Sequence, residues 1–118
     1  MSKTPFRFPL AIRKEIGIAV FLFAATLVLF GPARRFDYVN LDDYAYVAHH
    51  PLVQGGLRME AARQAFATVH EQWWLPLLWI SYMADVELFG PGPHGHHSMN
   101  VLLHAANAAL LFWALFRM

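Results

Sequence analysis

The sequence predicts an all-α membrane protein, with about three membrane helices and an outer loop that carries a short amphipathic helix. Three observations lead there. Hydrophobic residues make up 58% of the 118-residue chain and charged residues only 14%, against about 25% charged in an ordinary soluble domain. The apolar residues fall in blocks, at 16–30, 73–90 and 99–116, rather than being scattered. One extended polar stretch, 34–72, separates the first block from the other two.

The amino-terminal segment 1–15 carries Lys3, Arg7, Arg13 and Lys14. The first predicted membrane helix, 16–31, is closed by Gly31-Pro32. Its apolar part 16–30 would span roughly 22 Å at about 1.5 Å per residue, short of a hydrocarbon core of roughly 30 Å. Lys14 and Arg34 can snorkel to close that gap. The positive-inside rule then puts the amino terminus in the cytoplasm and the loop 32–72 outside, with Arg34-Arg35 pulling weakly the other way. A cleaved signal peptide shares the same parts, a basic start, an apolar core and the small Gly31-Pro32-Ala33 segment. The two later apolar blocks favour a membrane anchor.

Within the loop, Pro51, Gly55 and Gly56 break the chain. Residues 59–69 read as a short helix, with Ala62, Ala65, Phe66 and Val69 at helical spacing, Leu57 as a staple, and Arg58, Glu60, Arg63 and Gln64 on the other faces. Such a helix suits a membrane surface or the protein's own loops. Segment 73–118 reads as a helical hairpin, its two apolar blocks joined by the Gly-Pro-rich turn at 90–97. If both arms cross the membrane, the His-rich turn is cytoplasmic and Arg117 lies outside. Asp85 and Glu87 are expensive in lipid and sit near the end of the first arm, so a re-entrant arm is the alternative.

A net charge of +1 offers no basic field for nucleic acid, and the absence of cysteine excludes disulfides and thiolate metal sites. The chemistry-bearing candidates are few. Asp42 and Asp43 are adjacent carboxylates. Their mutual repulsion and oxygen ligands suit a general base or a divalent cation, or one of them caps a turn beginning at Tyr44. His97, Asn100, His104 and Asn107 share one face of the last helix, as a pocket lining or as hydrogen-bonding contacts to another helix. The cluster His94, His96, His97 and the pair His49-His50 lack the spacing of a defined metal site. Trp73, Trp74 and Trp79 read as interfacial anchors, or as platforms for a sugar or prenyl chain.

The block Trp74-Leu75-Pro76-Leu77, Trp79-Ile80-Ser81-Tyr82-Met83, Asp85, Leu88-Phe89-Gly90, Gly95-His96-His97, Asn100, Leu102-Leu103-His104-Ala105, Asn107 resembles the amino-terminal region of bacterial membrane proteins with tetratricopeptide repeats. These are similar to the transmembrane and tetratricopeptide-repeat protein O-mannosyltransferases. Asn40-Leu41-Asp42-Asp43-Tyr44-Ala45-Tyr46-Val47 resembles that family's acidic motif in its first outer loop, and Gly56-Leu57 and Ala65-Phe66-Ala67 also match. The likeness covers roughly 16–118.

The resemblance implies a GT-C glycosyltransferase in a bacterial inner membrane. It takes a sugar from a polyprenyl- or dolichyl-phosphate donor to an acceptor hydroxyl, expected on a protein. It makes Asp42 and Asp43 the catalytic candidates and Trp74, Asp85, His97, Asn100 and His104 candidates for substrate binding, and it leaves metal dependence open. No arginine, Arg34 and Arg35 included, is assigned to the leaving phosphate. Leu75 stands where many relatives carry His or Arg, and His49-His50 where they carry an acid-Asn pair. Family members continue through many more helices and usually a repeat domain. On that comparison the chain looks like an amino-terminal fragment, inactive alone. A small non-catalytic membrane protein, a subunit or assembly factor, is the alternative.

Overall fold

The computed structural model describes residues 10–118, with side-chain environments from Arg13 onward; Lys3 and Arg7 lie outside the described residues. The elements are α1 (Leu10–Phe30), a 3-10 turn (Gly31–Arg35), a π-helical turn (Tyr44–Ala48), α2 (Pro51–Gln54), α3 (Met59–Ala67), α4 (Pro76–Phe89) and α5 (Pro93–Arg117). Among the described residues the one β feature is an isolated bridge between His70 and Trp73.

Among the described residues two helices, not three, are long and apolar enough to cross a membrane. One is Arg13–Arg35, 23 residues with mean hydropathy 2.3; the other is Pro93–Arg117, 25 residues with mean hydropathy 1.6. The first reaches about 34 Å once the 3-10 turn continues α1, so the shortfall expected from 16–30 is absent. Both keep large apolar side chains on the outside, among them Phe21, Val28, Leu29, Leu110 and Leu111.

The expected third span is corrected. Segment 73–90 yields a helix of only 14 residues, about 21 Å. Pro76 opens α4 as its first residue and holds Leu75 out of helical backbone, while Gly90 closes it at φ 85°, ψ 174°. That conformation is open essentially to glycine alone.

The molecule is elongated, 60 × 34 × 29 Å. Helices α1 and α5 pack side by side as a stalk, and α2, α3 and α4 gather into a head against the start of α5. The small, buried Ala19 and Ala105 mark where the stalk helices are most enclosed. The two run antiparallel: His94 Nδ1 donates to the Arg34 carbonyl at 2.8 Å, and further along Phe30 meets His104 edge-on at 4.8 Å between ring centres.

The His-rich segment therefore stands at the same end of the stalk as Arg34, beside the acidic loop. Tyr38 Oη donates to the Pro91 carbonyl at 3.1 Å and ties that loop to the turn. Of the two arrangements left open by the sequence, a re-entrant first arm fits this packing better than an arm that crosses, because α4 folds into the head.

The head core is Val47, Leu52, Val53, Ala61, Ala65, Trp79, Met83 and Val86. The short helix expected at 59–69 forms at Met59–Ala67, but its buried face is Ala61 and Ala65, while Phe66 and Val69 are exposed. Small residues let α3 lie close on α4. The face carrying Ala61 and Ala65 packs on α4, while Met59 and Phe66 stay on the outside. Trp79 is not an interfacial anchor: it is fully buried and stacks with His50 at 4.6 Å and with Tyr46 at 5.3 Å.

Candidate active site at the head of the stalk

Asp43 opens the π-helical turn but makes no cap bond to it. Its Oδ2 instead accepts the Val39 N–H at 2.9 Å, closing the loop 39–43 upon itself. Asp42 is exposed while Asp43 is half-buried, so the sequence pair is split into one solvated and one built-in carboxylate. Two phenols lie within reach of the Asp43 charge. Burial, and then the nearby Asp43 charge, push the Tyr38 hydroxyl above the usual tyrosine range. The same causes in the same order raise Tyr82, with Asp85 and Tyr46 adding to them. Both phenols are thereby held as protonated donors beside a carboxylate.

Asp85, on α4, and His96, in the first turn of α5, are both buried. His96 Nδ1 donates to Asp85 Oδ2 at 3.0 Å. Burial raises the Asp85 carboxyl above its ordinary range, and the bond from His96 opposes that shift without cancelling it. The bond spends Nδ1–H on the carboxylate, which leaves Nε2 as the ring's other polar atom; it is buried with no partner, as is His97 Nε2. Tyr82 meets the His96 ring edge-on at 5.7 Å, and Tyr38 lies 6.4 Å from His96 and 6.5 Å from His97, ring centre to ring centre.

The structure thus gathers Asp43, Asp85 and His97 from the sequence candidates, and adds Tyr38, Tyr82 and His96. The signal for His96 was present: Asp85 and His96 flank the Gly-Pro-Gly-Pro turn at 90–93, and a tight hairpin brings such flanks together.

The other candidates lie apart. Trp74 is exposed and its Nε1–H donates to the Phe66 carbonyl at 3.0 Å, tying α4's lead-in to the end of α3. Asn100 and His104 are exposed along α5, His104 against Phe30. Among the described residues no group of three or more His, Asp or Glu is placed to hold a metal ion.

An acceptor carboxylate at the surface, the protonated Tyr82 phenol and a buried Asp–His pair form a set able to bind hydroxyl groups and take a proton from one of them, with Tyr38 committed to the Pro91 carbonyl. No protein-family model, curated protein or solved structure matches this chain.

Proposed function

We propose that this chain forms the acidic-loop portion of a membrane glycosyltransferase that moves a sugar from a polyprenyl-phosphate donor to an acceptor hydroxyl, with a protein as the acceptor class. The observation that carries the reading is the gathering of Asp43, Tyr82 and the Asp85–His96 pair at one end of two apolar, membrane-length helices. A lipid-carried phosphate sugar presents its reactive carbon at that level, where a headgroup meets water.

In this reading Asp43 is the base. It takes the proton of the acceptor hydroxyl as that oxygen bonds to the anomeric carbon. The carbon–oxygen bond to the lipid phosphate breaks, and its electron pair leaves with the phosphate. Tyr82 donates a hydrogen bond to a sugar or acceptor oxygen, and Asp85 holds His96 in place. Tyr38, its one O–H given to the Pro91 carbonyl, ties the acidic loop beside it. Arg34 and Arg35, exposed in the 3-10 turn at the same end of the stalk, supply positive charge toward the departing phosphate.

The test uses the gene product expressed from its native locus, assayed in membranes with radiolabelled polyprenyl-phosphate hexoses. Asp43→Asn is expected to lower transfer about 100-fold or more at an unchanged membrane level. Asp42→Asn, at the exposed position, is expected to lower it less. Full transfer in the Asp43→Asn protein overturns the assignment.

A second reading, a non-catalytic membrane subunit, draws on Asn100 and Asn107, which are exposed on a membrane-length helix and require hydrogen-bonding partners there. It predicts a stable complex that Asn100→Leu and Asn107→Leu dissolve.

A further inference from the structure

A cavity lies between α2 and α3. Its volume is about 460 Å³, within the roughly 300–1,000 Å³ of small-molecule sites. Pro51, Leu52 and Ala61 give it an apolar wall; Arg58, Glu60, Gln64 and His70 supply polar groups, and His50 lines it from the core side. None of these residues takes part in the Asp43 site.

Two imidazoles define its chemistry. His50 is 93% buried (7% exposed), stacked on Trp79, and its Nδ1 has no hydrogen-bond partner. Burial, followed by the neighbouring His70, lowers its proton affinity below the ordinary histidine range, with Glu71 opposing, so it stands neutral at physiological pH. His70 meets it edge-on at 5.2 Å.

The orientation of His70 follows from one hydroxyl. Thr68 has a single O–H, which it donates to the Gln64 carbonyl at 2.7 Å. The 2.6 Å contact between Thr68 Oγ1 and His70 Nε2 is then a bond donated by His70. Nδ1 is left as the ring's remaining polar atom, an acceptor in the neutral form.

The backbone holding His70 is strained. His70 and Trp73 exchange two backbone bonds, at 3.2 and 2.9 Å, around Glu71 and Gln72. Those two residues have φ 47° and 68°, the turn that normally takes Asn-Gly.

The lining charges decide the ligand class. One guanidinium and one carboxylate cancel, so an anion that gains Arg58 meets Glu60, and a cation meets the reverse. No three-ligand metal set is placed there among the described residues. What remains is an apolar wall beside mixed donors and acceptors. That pattern matches a sugar ring, which carries an apolar C–H face and hydroxyls that both donate and accept.

We propose that this cavity binds a neutral, hydroxyl-rich ligand of small-saccharide size, with its C–H face on Pro51, Leu52 and Ala61 and its hydroxyls on Glu60, Gln64 and His70. The proposal stands independently of the transfer reading.

The test is saturation-transfer NMR on the full chain in nanodiscs, with methyl glucoside, methyl galactoside, N-acetylglucosamine and cellobiose as probes. At least one is expected to bind saturably and to lose affinity about tenfold in His70→Ala and in Glu60→Ala, each checked for unchanged circular dichroism. Asp43→Asn is expected to bind as the unsubstituted chain does, which separates this site from the transfer site. Absence of saturable binding by all four probes overturns the proposal. So does binding that both cavity variants leave unchanged, and so does inorganic phosphate or zinc chloride binding there in place of the saccharides.

Discussion

Asp85 Oδ2 and His96 Nδ1 are 3.0 Å apart across the junction of α4 and α5, both side chains buried. This bond is a buried polar tie between the head and the stalk, within the wider packing of α4 on α5. It also joins a carboxyl whose proton affinity burial raises to a ring whose second nitrogen has no partner. Such a pair contributes little net stability, because desolvation offsets its attraction. Its value lies in fixing which way the imidazole points.

The first expectation follows from the sign of the Asp85 shift. A carboxyl whose folded pKa is raised favours the folded state below its ordinary value of 3.8, and that contribution is lost as pH rises through the folded value. Asp85→Asn removes the ionisation but keeps an oxygen to accept the His96 bond. The variant is therefore expected to be at least as stable as the parent at pH 7, with a flatter stability profile above pH 3.8. Asp85→Ala strands His96 and is expected to cost about 1–3 kcal/mol. Thermal unfolding in detergent, followed by circular dichroism across pH, measures both.

Gly95 makes the Asp85–His96 approach possible. A Cβ added there would sit 2.5 Å from Phe89 Cβ, at the last residue of α4. Neither atom is the end of a flexible side chain, so backbone has to move. Gly95→Ala is expected to destabilise the head by about 1–3 kcal/mol and to part Asp85 from His96. Gly92→Ala, with nothing within 4 Å of the added carbon, is the matched control. Urea midpoints for the two variants should separate clearly; equal midpoints would show that the close approach carries no strain.

The parts of this fold legible in the sequence were those written in local signals. The apolar blocks gave α1 and α5, and Pro76, Gly90 and Pro93 mark the ends of α4 and the start of α5. Apolar content across 73–90 overstates the length of α4, because Pro76 starts the helix late and Trp79 and Met83 are apolar for the head core rather than for lipid. Asp43 was legible as a motif. Its partners were not, because Tyr38, Tyr82 and His96 come from three elements, and their convergence depends on which side of the stalk α4 folds. A hairpin that crosses the membrane and one that folds back read alike by hydropathy; only the packing of Ala61 and Ala65 on α4 distinguishes them.

The last expectation concerns the turn at Glu71 and Gln72. Left-handed backbone at a residue with a β-carbon costs about 1–3 kcal/mol, and Gln72, at φ 68°, carries that cost without glycine's freedom. Gln72→Gly relieves it but loosens the unfolded chain, which gives back about 0.4–1 kcal/mol. The balance is a net gain of about 1 kcal/mol. Gln72→Ala keeps the β-carbon and is expected to gain nothing. Because His70 and Trp73 close the turn with two backbone bonds, the glycine variant retains their register, and His70 keeps its bond to Thr68. Differential scanning calorimetry in detergent reads the effect. A glycine variant that melts no higher than the alanine variant would mean the turn is held without strain, and that His70 sits over His50 through packing alone.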